Sequence, residues 1–200
     1  MAFTLYLLLS SLALTTSVIS SPPVGQVTHV KRDDTSEPQT CTELSGEMSW
    51  TAKAFHLRST IQLSSPTEVA SGTGWLSFSL SNPAVPYELS CQGTSSDLTD
   101  FFHANHEFPC DNAPDGISKA TFRFDKPSGS FEVNQLWYCN DDMGSRWSAS
   151  GSTNVTLNCV TNIAKAADWK EGSGQVYATN TIDCGTLDIS VSPSEMDAVA

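Results

Sequence analysis

Apolar residues recur with a period of two along most of this 200-residue chain, which points to strands rather than helices. In Thr73 to Leu80 the side chains of Leu76, Phe78 and Leu80 alternate with Ser77 and Ser79, while Trp75 takes the other face. That is the pattern of a half-buried strand. The alternation returns at Val85, Tyr87, Leu89 and Cys91, at Phe122 and Phe124, and at Phe131, Val133 and Trp137 after the turn Lys126-Pro-Ser-Gly129. Val155, Leu157 and Cys159 repeat it, then Val176 and Ala178, then Leu187, Ile189 and Val191. Turn residues separate the runs, as in Ser81-Asn82-Pro83, Pro114-Asp115-Gly116 and Glu171-Gly-Ser-Gly174. The expected fold is all-β, an antiparallel β-barrel or closed sandwich of eight or more strands. Only Ser96 to His106 and the Ala- and Lys-rich Thr161 to Trp169 hint at helix, so at most one or two short helices are expected.

All six cysteines lie beyond residue 40, behind an N-terminus whose apolar run from Leu5 to Leu14 has the length of a signal-peptide core and is too short to span a bilayer. Cleavage is expected after Ser20, with Val18 and Ser20 as the small residues of the site. A second cut is expected after Arg32, where Lys31-Arg32 precedes Asp33 in a Pro-, Thr- and Ser-rich segment that cannot pack. The organisation is then a signal peptide over 1–20, a propeptide over 21–32, an N-terminal arm over 33–44 and one domain over 45–200. The setting implied is oxidising and extracellular. About 168 residues remain, enough to bury roughly 70% of the unfolded chain's surface, so disulfides supplement a real core.

Removing residues 1–32 leaves eight basic against 22 acidic residues, a net charge of −14. A chain this acidic is repelled by nucleic acid and by anionic membranes, so neither is expected as a partner. No apolar stretch after the signal approaches the roughly 18 residues of a membrane span, and the C-terminal segment is no lipid-anchor tail.

Trp50 with Phe55, the block Gly74-Trp-Leu-Ser-Phe-Ser-Leu80, the Cys91 and Cys110 pair around an irregular insert, Phe122-Arg-Phe124 and Gly129-Ser-Phe-Glu-Val133 form an ordered series. Asn154-Val-Thr-Leu-Asn-Cys159 and the tail near Cys184 complete it. This order of aromatic strands and cysteines resembles the Alt a 1-like family of fungal secreted proteins, over roughly residues 45 to 200. The resemblance implies a compact antiparallel β-barrel, secreted or wall-associated, of the allergen and effector kind, with no established catalytic residues and no cofactor. It implies a host plant defence protein or a small flavonoid-like ligand as partner, and a dimer joined through an N-terminal cysteine. Cys139 has no place in that type pattern. Cys41 can therefore close on Cys139 or link two chains, leaving monomer and homodimer both open.

Six cysteines allow fifteen pairings, of which topology favours Cys91–Cys110, Cys159–Cys184 and Cys41–Cys139. The first closes a loop worth roughly 3 kcal/mol in the chain-entropy model. No Cys-x-x-Cys occurs and the spacings suit no zinc ribbon, so the cysteines read as structural.

For chemistry the best seat is Asp100-Phe-Phe-His103-Ala-Asn-His106-Glu107, where a helix would put His103 and His106 on one face as metal ligands or an acid–base pair. Polar side chains on an exposed, cysteine-closed loop are the simpler reading, and no metal is expected. His56 is isolated and reads as pointing outward from a strand; no Gly-x-Ser-x-Gly elbow accompanies it. Glu88 and Glu132 are the candidate pair for a cell-wall glycosidase, their separation being decisive. Trp75 and Trp147, if exposed and coplanar, would make a sugar-stacking platform, whereas Trp50 and Trp137 fall in core patterns. Asn154-Val-Thr156 is the one glycosylation sequon, with Asn154 directed away from the core. Asp141 and Asp142 read as a hairpin turn rather than a calcium loop. No catalytic residue is assigned, and the expected activity is binding, with a carbohydrate-active protein as the alternative.

Overall fold

A computed structural model of the chain describes residues 38–98, 101–103, 106–111, 113–141 and 144–199. The expected processing sites at Ser20 and Arg32, and the candidate residues Asp100 and Asp142, lie outside them.

The described residues form ten antiparallel strands: β1 (Trp50–Ser65), β2 (Glu68–Ser81), β3 (Glu88–Ser95), β4 (Glu107–Asp111), β5 (Lys119–Asp125), β6 (Ser130–Tyr138), β7 (Arg146–Asn154), β8 (Val160–Lys165), β9 (Ala178–Val191) and β10 (Glu195–Val199). They make one sheet in the order β10-β7-β6-β5-β4-β3-β2-β1-β9-β8. The ladder is open, with β8 and β10 at its edges. Side chains bring its distant parts together. Phe55 on β1 meets Phe124 on β5 and Phe131 on β6 with ring centroids 5.4 and 5.3 Å apart. These strands are several places away from β1 in the ladder, so the sheet curls over and its inward faces pack on one another. The expected all-β, disulfide-linked architecture is the one observed, curled in the manner of a barrel or sandwich.

The interior is aromatic. Phe55, Phe78, Phe122 and Phe131 form a mutually contacting set, largely edge-to-face, and three of the four are fully buried. Each such side chain contributes about 2 to 3 kcal/mol by leaving water. The polar groups around Trp50 are paired, whereas the buried Ser59 hydroxyl has no partner among the described residues. Trp50 donates its Nε1–H to Gln135 Oε1 at 2.6 Å, Asn82 Nδ2 donates to the same oxygen at 2.9 Å, and Asn82 Oδ1 accepts from the Ala84 amide at 2.9 Å.

A bulge in β1 sets which side chains reach that core. Trp50 and Ala52 point inward, Ala54 takes a left-handed φ of 52°, and from there Phe55, Leu57 and Ser59 are the buried residues. The pairing with both neighbours shifts at this point, and the Ala54 amide donates to Asp188 Oδ1 at 2.8 Å. The extra residue inverts the alternation, so that Phe55 enters the core and His56 is held on the outside.

Three disulfides link the elements: Cys41–Cys139, Cys91–Cys110 and Cys159–Cys184. The first anchors α1 (Cys41–Gly46), which the capping box of Thr40 and Glu43 initiates. Trp137 Nε1 donates to Ser45 Oγ at 2.9 Å, and Asp141 accepts from the Thr42 amide at 3.1 Å, so the helix closes one end of the sheet.

Both expected helices are corrected. Val160–Lys165 is strand β8, because β9 offers it a ladder and Cys159–Cys184 holds it there, outweighing the helix propensity of its Ala and Lys. Around Ser96 to His106 the described residues are not helical; two consecutive phenylalanines, Phe101 and Phe102, are buried instead. Phe101 lies so close to Gly74 that a Cβ there would be 2.6 Å from its own. Val155 to Cys159 continues from β7 without joining a ladder, with the Val155 amide donating to Gly129 O at 2.8 Å.

Candidate functional site

The outer face of β9, β1, β2 and β3 carries the densest group of chemically useful side chains. Beyond the bulge, the outward residues of β1 are His56 and Arg58. Cross-strand pairing places Ser77 beside His56 and Trp75 beside Arg58 on β2, then Gln92 beside Ser77 and Thr94 beside Trp75 on β3. These six residues line a hollow of about 430 Å³. The Arg58 guanidinium lies over the Trp75 ring, 5.4 Å from its centroid, a contact worth about 0.5–1 kcal/mol at an exposed position. His56 Nε2 and Asp183 Oδ1 are 3.0 Å apart. The Asp183 carboxyl is held below the ordinary aspartate range, chiefly by the Gly185 amide and then by His56, with Arg58 adding a longer-range attraction. His56 thus points outward as its place in a strand implied, but it has a carboxylate partner, 127 residues away, that no local pattern reveals.

The other candidate residues are dispersed. His103 Nε2 sits 3.5 Å from Asp97 Oδ2, His106 lies beside the Phe108 ring, and Glu107 accepts from Arg123 and from Thr121. The His106 amide donates to the His103 carbonyl at 3.1 Å, while the two rings have the separate partners just named. Among the described residues the one cluster with metal-ligand spacing is Cys41, Cys139 and Asp141, whose sulfurs are joined to each other and cannot ligate. Asp141 instead accepts from the Thr42 amide and hydroxyl.

Glu88 and Glu132 both face outward, on β3 and β6. Strands β4 and β5 separate them, a lateral distance of roughly 14 Å. Two glycosidase carboxylates stand about 5 to 9.5 Å apart, so this pair is no catalytic dyad. Glu88 is paired with Lys53, and Glu132 accepts from Asn134. Trp75 and Trp147 lie on opposite faces of the sheet. Trp75 is 37% exposed outside, whereas Trp147 shares the inward face with Trp137 and stacks on it with centroids 6.3 Å apart. They cannot form one sugar platform. Asn154 is exposed at the end of β7, next to the buried Val155.

Two further surface features were not singled out from the sequence. A trough of about 460 Å³ crosses β5, β6, β7 and β10 over Asn134, Ser148 and Ser150, between Lys119 and the carboxylates Glu195 and Asp197. Edge strand β8 is exposed along its whole length, including Val160 at 61% and Ile163 at 60%. Exposed on every residue, it carries no apolar alternation that could have marked it as a strand.

The family model described as Alternaria alternata allergen 1 matches residues 53–184. The chain belongs to this allergen family. The match runs from β1 into β9 and takes in five of the six cysteines, leaving out Cys41 and with it α1. No curated protein and no solved structure was found to match the chain. This is a family of fungal allergens that is not known as enzymatic, and its three disulfides here suit an extracellular protein.

Proposed function

We propose that this family member is a secreted, effector-type protein that acts by binding a host plant protein at its surface. In this reading a signal peptide is removed after Ser20 and a propeptide after Arg32, and Asn154 carries a glycan. The observation that carries the reading is the contrast, among the described residues, between a filled interior and an uncovered edge. The phenylalanine set occupies the space between the curled faces, where an apolar ligand would otherwise lodge. Strand β8 meanwhile presents Val160, Ile163 and one side of its backbone ladder to solvent. A free edge is the feature on which another chain adds a strand, its main chain supplying affinity and its side chains specificity. A small flavonoid-like ligand, the other partner the family resemblance implies, would have to sit in the outer hollows. With Cys41 bonded to Cys139, a homodimer would be non-covalent.

The test is binding of the secreted chain to a panel of purified plant extracellular defence proteins, measured by interferometry, with Ile163→Lys as the edge variant. Binding that Ile163→Lys weakens tenfold or more is expected. No binding across the panel, or binding indifferent to the variant, would count against the reading.

A further inference from the structure

Among the described residues Arg58 has no carboxylate within ion-pair distance, whereas Lys53 has Glu88 and Arg123 has Glu107. What holds it is the face of Trp75. A guanidinium lying on an indole is fixed in orientation, while its N–H fork stays open to a planar anion. Asp183, opposite Arg58 in the β1–β9 ladder, contacts His56 and accepts from the Gly185 amide through Oδ1, and lies beyond ion-pair distance of Arg58.

Around this cation the hollow supplies three other kinds of contact. Trp75 leaves 37% of its surface exposed in a strand whose alternate residues are core. Gln92 offers an amide, and Ser77 and Thr94 offer hydroxyls, on the same face and within the same hollow. A fork for a carboxylate, an apolar ring edge for C–H groups, and flanking amide and hydroxyl groups for hydroxyls together describe one ligand chemistry, a sugar ring bearing a carboxylate. We propose that the outer hollow at Arg58 and Trp75 binds a short oligosaccharide of uronic acids, with Arg58 taking one carboxylate and Trp75 the face of that ring; the chain's net negative charge opposes this ligand at long range, so the contact is expected where salt screens the repulsion, with a Debye length of about 8 Å at 0.15 M. This site is separate from edge strand β8, since β9 lies between β8 and β1. It also differs from a two-tryptophan platform, because charge rather than stacking alone selects the ligand. A neutral glycan leaves the Arg58 fork unpaired, and a simple carboxylate leaves Trp75, Gln92 and Thr94 unused.

The experiment is a proton–nitrogen NMR titration of the secreted chain with trigalacturonic acid, following the Trp75 indole signal, which Trp75→Phe identifies. Parallel titrations use the neutral cellotriose and sodium acetate. Trigalacturonate is expected to shift Trp75 together with the amides of Arg58, Gln92 and Thr94. Arg58→Gln, an exposed change that leaves the core untouched, is expected to weaken binding at least tenfold, in line with loss of a charge-assisted hydrogen-bonded pair. The proposal is overturned if trigalacturonate leaves Trp75 unmoved, if cellotriose binds as tightly, if acetate reproduces the shifts, or if Arg58→Gln changes nothing. Near-UV circular dichroism of both variants confirms that each is folded.

Discussion

His56 and Asp183 meet diagonally across the β1–β9 ladder with Nε2 and Oδ1 3.0 Å apart, on the outside of a sheet whose inside is packed with phenylalanine. The contact exists because Ala54 inserts one residue into β1. Were β1 regular through Ala54, the alternation set by Trp50 and Ala52 would carry His56 inward and Phe55 outward.

The pair makes stability depend on acid in a defined sense. Asp183 has its carboxyl pKa lowered in the folded state, first by the Gly185 amide and then by His56. The unfolded chain therefore binds the proton more readily, and the contribution of Asp183 is present above its unfolded value of about 3.9 and lost as pH falls through the lower folded value. Thermal melts between about pH 5 and pH 2 should show Asp183→Asn losing part of the acid-side slope of the unmodified protein. An unchanged slope would mean that the pair has no role in acid stability.

Ala54 is the only non-glycine residue with a positive φ among the described residues. An L-residue pays roughly 1 kcal/mol for that conformation, part of which glycine gives back in unfolded-chain entropy. Ala54→Gly should raise stability by about 0.5 kcal/mol, seen as a higher urea midpoint at constant slope. A lower midpoint would show that the bulge is held by something other than its backbone strain and the Asp188 contact.

Gln135 serves two buried donors through one oxygen, the Trp50 indole and the Asn82 amide. Gln135→Leu keeps the volume similar but orphans both, and each buried unpaired donor costs about 1 to 3 kcal/mol. We expect a loss of at least about 2 kcal/mol in chemical denaturation, larger than for a surface Gln→Leu change such as Gln62→Leu. Equal losses would argue that water reaches these donors.

Strand β8 packs no side chain into the core, so its attachment rests on the β9 ladder and the Cys159–Cys184 bridge. Replacing both cysteines by serine should speed hydrogen exchange at residues 160–165 while amides of β5 and β6 stay protected. Exchange rising uniformly through the sheet would instead show that β8 and the core unfold as one unit.

The all-β architecture was legible in the sequence because alternation reports burial directly: Leu76, Phe78 and Leu80, or Phe131 and Val133, can be inward only on a strand. Where burial was absent or irregular the same reasoning failed. Thr161 to Lys165 is exposed on every residue, so composition was all it offered, and ladder pairing with β9 decided otherwise. Phe101 and Phe102 are buried side by side without periodicity, against glycines of β2 that only the folded chain brings near. The helix at Cys41–Gly46 did carry a local signal, the Thr40 and Glu43 capping box, in a stretch taken for an arm.

The candidate site depended on tertiary structure almost entirely. Trp75 could be marked as outward from its neighbours alone, and His56 as a residue on an outer face. That Arg58 lies over Trp75, that Asp183 holds His56, and that Glu88 and Glu132 stand too far apart for catalysis are consequences of strand order and register. A sequence determines which face of a strand each residue takes, because side-chain direction alternates within the strand itself. Which residues meet across strands depends on how long loops close, where a bulge adds a residue and which partners the core permits, and those are properties of the whole packed chain.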